Sequence, residues 1–149
     1  MDTAYKTTLE LDKVLARAVQ LCACQETKEM MQALEPAPTV EDERYDLAQT
    51  NAINALLIKN GSPRFGSVRE VRRIVAHARK GGILSMGELL EIAATLRNFS
   101  GLSQWYGLSE HEMLPTDDLF FALAPQPVLE KQIAESILSP EEMADTASV

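Results

Sequence analysis

At 149 residues the chain is long enough to bury a core without disulfides or a structural metal, and its apolar and charged fractions are those of an ordinary globular protein. Its formal net charge of −8, taken over the whole chain, argues against a nucleic-acid binder. Aromatics are few and Leu, Ala, Glu and Met plentiful, which favours helix over strand.

In chain order, Leu11, Val14, Leu15, Ala18, Val19 and Cys22 recur at the spacing of one apolar helical face, with Asp12 placed to cap or charge the first turn. A short helix over Glu26 to Leu34 turns Met30, Met31 and Leu34 inward, and Pro36 and Pro38 end it in a stiff connector. Thr39 opens a third helix with Glu41, Asp42 and Glu43 in its first turn, where the dipole favours acids. It runs to about Lys59 with Leu47, Ile53, Leu56 and Leu57 inward, and Asn60-Gly61 closes it as a left-handed cap would. The Gly, Pro, Asn and Ser of 60-NGSPRFGS-67 make a loop.

A fourth helix spans about Val68 to Lys80, with Val68, Val71, Val75 and Ala78 on one side. Arg69, Arg72, Arg73 and Lys80 fall opposite, Arg79 lies at the border, and Gly81-Gly82 terminates the helix. Ser85 and Glu88 form the S-x-x-E capping-box pattern. The fifth helix carries Leu89, Leu90, Ile92, Ala93, Leu96 and Phe99 to about Gln104, with Trp105-Tyr106-Gly107 as its end. A short helical piece lies near Asp117 to Ala122. Pro127 suits the first turn of a last helix reaching Ile137 or Leu138, striped by Leu129, Ile133 and Ile137 and stopped by Ser139-Pro140. The strand signal is weak throughout. The expected fold is all-α, an irregular bundle of about five to seven helices, with a helical domain over 1–138 and a truncated connection to a downstream region over 139–149.

Residues 1–8 carry no apolar stretch behind a basic start, and no run approaches the ~20 apolar residues that span a bilayer. A cytoplasmic protein with no membrane partner is expected. Cys22 and Cys24 read as plain reduced thiols, since a structural zinc site normally needs four Cys or His ligands and His77 and His111 are far away. No phosphate-binding loop is present, so no cofactor is expected in this segment. His111-Glu112 lacks the second histidine of H-E-x-x-H because position 115 is Pro. No nucleophile–base pair and no metal set appears, so no catalytic residue is assigned and the segment is not expected to be an enzyme by itself.

Charge is the one feature with a functional edge. From Lys59 to Lys80 there are seven basic residues and one acid, Glu70, which gives +6 against −14 for the rest. Arginines on one helix face can meet successive phosphates, contacts that position without reading sequence. The same stripe also fits a solvated face, pairing with acids elsewhere in the chain, or an acidic protein partner; exposed pairs contribute only about 0–1 kcal/mol each. The nucleic-acid candidates are Arg69, Arg72, Arg73, Arg79 and Lys80.

The order LELDKVLARAVQLC, then LEPAPT, then NGSPRFGSVREVRRIVAHARKGGILSMGELLEIAATLR resembles the N-terminal region of the bacterial MutS-II proteins, relatives of the mismatch-repair MutS proteins. The family pattern runs L-E-F-D-K-I, K-P-S-T, G-x-x-P-F/L-G-G-I-R-D-I and A-x-x-G-G-x-L-S-x-x-E-L-L-x-I-A-x-x-L-R. The resemblance is strong over residues 5–106 and returns weakly at 133-IAESILSPEEMADTAS-148. Leu11 stands where the family tends to have Phe, and Ser67 replaces the second Gly of a G-G pair, a position where Ser does not readily take φ > 0.

The resemblance implies a helical core and lever-like segment of a dimeric ATPase that ends in a small nuclease domain. The ATP, Mg and nuclease residues would lie downstream of Val149. It further implies branched DNA or ribosomal RNA as partners, contacts with downstream domains of the same chain, and roles in recombination suppression, mismatch-repair-related chemistry or ribosome rescue. The alternative is a structural module with no ligand of its own.

Overall fold

Side-chain caps set where the two 21-residue helices begin. The computed structural model describes residues 8–64, 66, 70–108, 110–145 and 147. The chain divides into two compact units, Met1–Pro36 and Ala37–Val149. Helix accounts for most of the described residues, so the fold is all-α apart from one two-stranded hairpin.

In the first unit, α1 (Leu11–Leu21) and α2 (Gln25–Gln32) pack against each other. Asp12 sits in the first turn of α1, as expected, although the helix starts from Glu10 in a left-handed conformation with φ 54°. Leu11, Leu15, Ala18, Val19 and Cys22 are half-buried, and the Cys22 thiol donates to the Ala18 carbonyl at 3.4 Å. No side chain of either helix is fully buried. Val14 of the expected inner face is exposed, as are Met30 and Leu34, expected inward on the second helix. Two short helices have too little facing surface to enclose a full apolar stripe.

The second unit opens with α3 (Val40–Asn60). The Thr39 hydroxyl accepts from the Asp42 N–H at 3.1 Å and donates to the Asp42 carboxylate at 2.7 Å, satisfying an amide that a helix start leaves orphaned. After α4 (Arg72–Arg79), α5 (Met86–Tyr106) begins with a complete capping box. The Glu88 N–H donates to the Ser85 hydroxyl at 3.3 Å, and Glu88 Oε2 accepts from the Ser85 N–H at 2.7 Å. α6 (Asp117–Phe121) and α7 (Pro127–Ser136, with Pro127 in the first turn) follow.

Helix α5 is the shared spine of two small cores. Near its C-terminal end Trp105 and Tyr106 are buried with Leu56 of α3, flanked by Ile53, Leu57, Leu114 and Phe120. Further up, Ala93 is buried with Ile133 and Ile137, flanked by Met86, Leu89, Leu90 and Ile92. The ends of α3 and α5 are cross-linked: Trp105 Nε1 donates to the Gly61 carbonyl at 2.8 Å and Asn60 Nδ2 donates to the Trp105 carbonyl at 3.2 Å. Tyr106 stacks on Phe120 with centroids 3.9 Å apart and planes 8° from parallel, and the His111 ring meets it edge-on at 4.8 Å. The Tyr106 hydroxyl donates to Asp117 Oδ1 at 2.7 Å and lies 2.8 Å from the hydroxyl of Thr116, which is fully buried.

Four expectations change. Leu47 is exposed, because the core takes only the C-terminal half of α3; the other half is tied by Tyr45 and Gln49, which donate to the Pro115 carbonyl. Gly61 has φ 73° but ψ 178°, which is not the left-handed cap but a region essentially reserved for glycine, reached as its carbonyl turns toward Trp105. The last helix stops at Ser136, and Ile137 is extended. Ile137–Ser139 (β1) instead pairs antiparallel with Glu142–Met143 (β2), Ile137 opposite Met143. A buried Ile four residues after Ile133 fits a helical stripe, but one turn into a hairpin also brings it to the core.

Candidate nucleic-acid interface

One hydrogen bond and one buried side chain hold the basic segment to the body of the unit, and a local cap closes its helix. The Gly66 N–H donates to Asn98 Oδ1 of α5 at 3.0 Å and anchors the preceding loop. Ile74 is the one buried side chain of α4. At the far end Gly81 takes φ 81°, its N–H donates to the Ala78 carbonyl at 2.9 Å, and the Gly82 N–H donates to the His77 carbonyl at 3.1 Å. This pair of bonds is the Schellman arrangement, and it satisfies carbonyls the helix end would leave open.

The helix is shorter than expected, starting at Arg72 with Val71 as its cap. Val68 and Arg69 lie outside the described residues. The inner side also differs: Val75 and Ala78 are exposed and Ile74 makes the contact. Ile74 is the buried side chain of this eight-residue helix, and Val71 at its cap is half-buried.

Arg72, Arg73, Arg79 and Lys80 are all exposed. At about 100° per residue, Arg72 and Arg79 fall roughly 20° apart, as do Arg73 and Lys80, and the two rows lie either side of the direction opposite Ile74. Arg73, Arg79 and Lys80 meet no carboxylate among the described residues; the ion pairs found there are Lys13–Glu10, Arg97–Glu130 and Lys131–Glu135. The structure thus brings four of the five candidate cations onto one outward surface.

Beside this surface the His77 ring lies against Gly82 so closely that a Cβ there would clash with the imidazole. The Ser85 backbone N–H, then its hydroxyl, hold the Glu88 carboxyl below its usual value, and the nearby His77 lowers it further. Ile83 follows directly and is 93% exposed. Periodicity gave it no role; the available signal was an apolar residue placed just past a Gly-Gly stop.

The chain is 31% identical over 150 residues to a protein named Endonuclease MutS2 from Ruminiclostridium cellulolyticum, covering 99% of this chain and 19% of that protein. Proteins of the same name from Clostridium beijerinckii (28% over 142 residues, 94% of this chain and 18% of the relative) and Halothermothrix orenii (28% over 156 residues, 99% and 20%) also match. The chain belongs to the MutS-II family. It spans about a fifth of the length of the curated relatives it matches. No protein-family model and no solved structure matches it.

The described residues of this MutS-II segment also form grooves away from α4. A groove of about 490 Å³ beside α3 and α6 is lined by Gln49, Asn54, Ile53, Leu57, Thr116 and Leu119 among others, none of them titratable. Among the described residues no three His, Cys, Asp or Glu side chains gather as metal ligands, and no helix is long and apolar enough to cross a membrane.

Proposed function

We propose that this MutS-II segment is the N-terminal helical scaffold of a DNA-acting ATPase and endonuclease, and that α4 holds nucleic-acid backbone without reading sequence. The observation that carries the reading is the α4 surface itself: Arg72, Arg73, Arg79 and Lys80 are all exposed, and Arg73, Arg79 and Lys80 meet no carboxylate among the described residues. Such a face suits phosphates, whose contacts position a protein without reading sequence. The name endonuclease belongs to the relatives; nuclease and ATP–Mg chemistry, dimer formation and a cytoplasmic location are proposed for the parent protein. Branched DNA and ribosomal RNA share the phosphate chemistry that α4 would meet.

The test is a fluorescence-anisotropy titration of the chain against branched DNA and structured RNA over a range of salt. Four phosphate contacts give a log–log salt slope of about −3.6 on duplex DNA. Lys80→Ala reduces that slope by about 1, for every sequence alike. A wild-type chain that binds neither probe at low salt overturns the reading. The alternative is then a structural module, a reading favoured by the exposed Ile58, Phe121 and Val128, which would pack against further protein.

A further inference from the structure

We propose that Ile83 is an apolar wedge that enters the base stack of a duplex gripped by α4, so that the segment favours nucleic acid whose stacking is already broken; this rests on the backbone-contact reading of α4. Ile83 is the most exposed large apolar side chain among the described residues, at 93%. It contributes almost nothing to either core, and Leu84 beside it is half-buried, so the chain turns the one inward and the other out.

The position is rigid. On its N-terminal side the Schellman bonds fix Gly81 and Gly82, and the His77 ring packs against Gly82. On its C-terminal side the Ser85–Glu88 capping box fixes the start of α5. A side chain displayed on ordered backbone loses little freedom on insertion.

The surroundings select the partner. Arg79 and Lys80 precede Ile83 and are exposed. The nearest acid in sequence, Glu88, is engaged by the Ser85 N–H and hydroxyl at 2.7 and 2.8 Å. A cationic helix end with a projecting aliphatic residue matches the chemistry of minor-groove proteins, which neutralise phosphates and push Ile, Leu, Met or Phe between base pairs. Single-strand binding by stacking is disfavoured, because from Glu70 to Glu88 the only aromatic ring is His77, and it is laid on Gly82.

The chain is titrated into a fully paired DNA duplex and into one with a single-nucleotide bulge flanked by 2-aminopurine. Unstacking is largely done in advance at the bulge, so the wild type binds it about tenfold more tightly, and 2-aminopurine fluorescence rises on binding. Ile83→Ala, whose melting curve stays that of the wild type because the side chain is exposed, keeps the salt-dependent affinity for the paired duplex and loses both the preference and the fluorescence rise. An Ile83→Ala chain that matches the wild type in both readouts overturns the wedge and leaves the α4 reading standing. So does an Ile83→Ala effect confined to self-association, which would make Ile83 a protein contact. A wild type that binds neither duplex at low salt overturns both.

Discussion

Tyr106 meets three demands in one side chain. Its ring is stacked on Phe120, its face is closed by the His111 edge, and its hydroxyl is shared between Thr116 and Asp117. Burial, then the hydrogen bond to Asp117, raise its pKa above 10, so the phenol stays protonated and donating through the neutral range. Tyr106→Phe keeps the stack but leaves the Thr116 hydroxyl buried without that partner. Urea unfolding should show a loss of about 1–3 kcal/mol, the cost of an unsatisfied buried polar group. In the sequence Tyr106 reads as the end of a helix and nothing more. The residues it meets come from a segment with no periodic pattern, and a contact between aromatic rings leaves no trace in local spacing. Ile83 offers no more than its place just past a Gly-Gly stop, since a side chain 93% exposed has no core period to reveal it.

Among the elements, those with local chemistry were legible. The Thr39 cap, the Ser85–Glu88 box, Pro127 in a first turn and the Gly81-Gly82 stop all stand where their residue types demand. Each depends on atoms within a few residues. Ser85→Ala should destabilise the second unit by about 1 kcal/mol in thermal or urea unfolding. Glu88 adds a pH signature. Its folded pKa lies below the ordinary 4.5, so its contribution is fully present above that value and is lost as pH falls through the folded pKa. The stability gap between wild type and Glu88→Gln should therefore be constant near neutrality and close as pH drops below 4.5; a gap that widens on acidification would contradict the assignment. The basic stripe of α4 was legible as a pattern. Its inner anchor was not, because a helical wheel ranks Val71, Ile74, Val75 and Ala78 nearly alike and only the neighbouring element decides which is covered. The β hairpin was missed for a similar reason, Ile137 lying in register with the helical stripe that precedes it.

For the molecule as a whole, both cores lie within Ala37–Val149, and α1 and α2 bury no side chain completely. A fragment of residues 37–149 should keep its helical circular dichroism and a melting midpoint within about 3 °C of the full chain, a shift smaller than 1 kcal/mol produces in a domain of this size. Loss of the transition in that fragment would mean the first 36 residues share in the core. Charge is also a whole-molecule property here. A net −8 hides a +6 segment from Lys59 to Lys80, so the charge of the whole chain does not describe that segment.

Trp105 is the only tryptophan of the chain. It is buried, with its indole N–H fixed on the Gly61 carbonyl and its ring 6.0 Å from Phe120. The protein therefore carries its own optical reporter. Selective excitation of the indole reads one place, the clasp between the ends of α3 and α5, and an emission shift to the red dates the moment that clasp admits water, independently of any event in the first 36 residues.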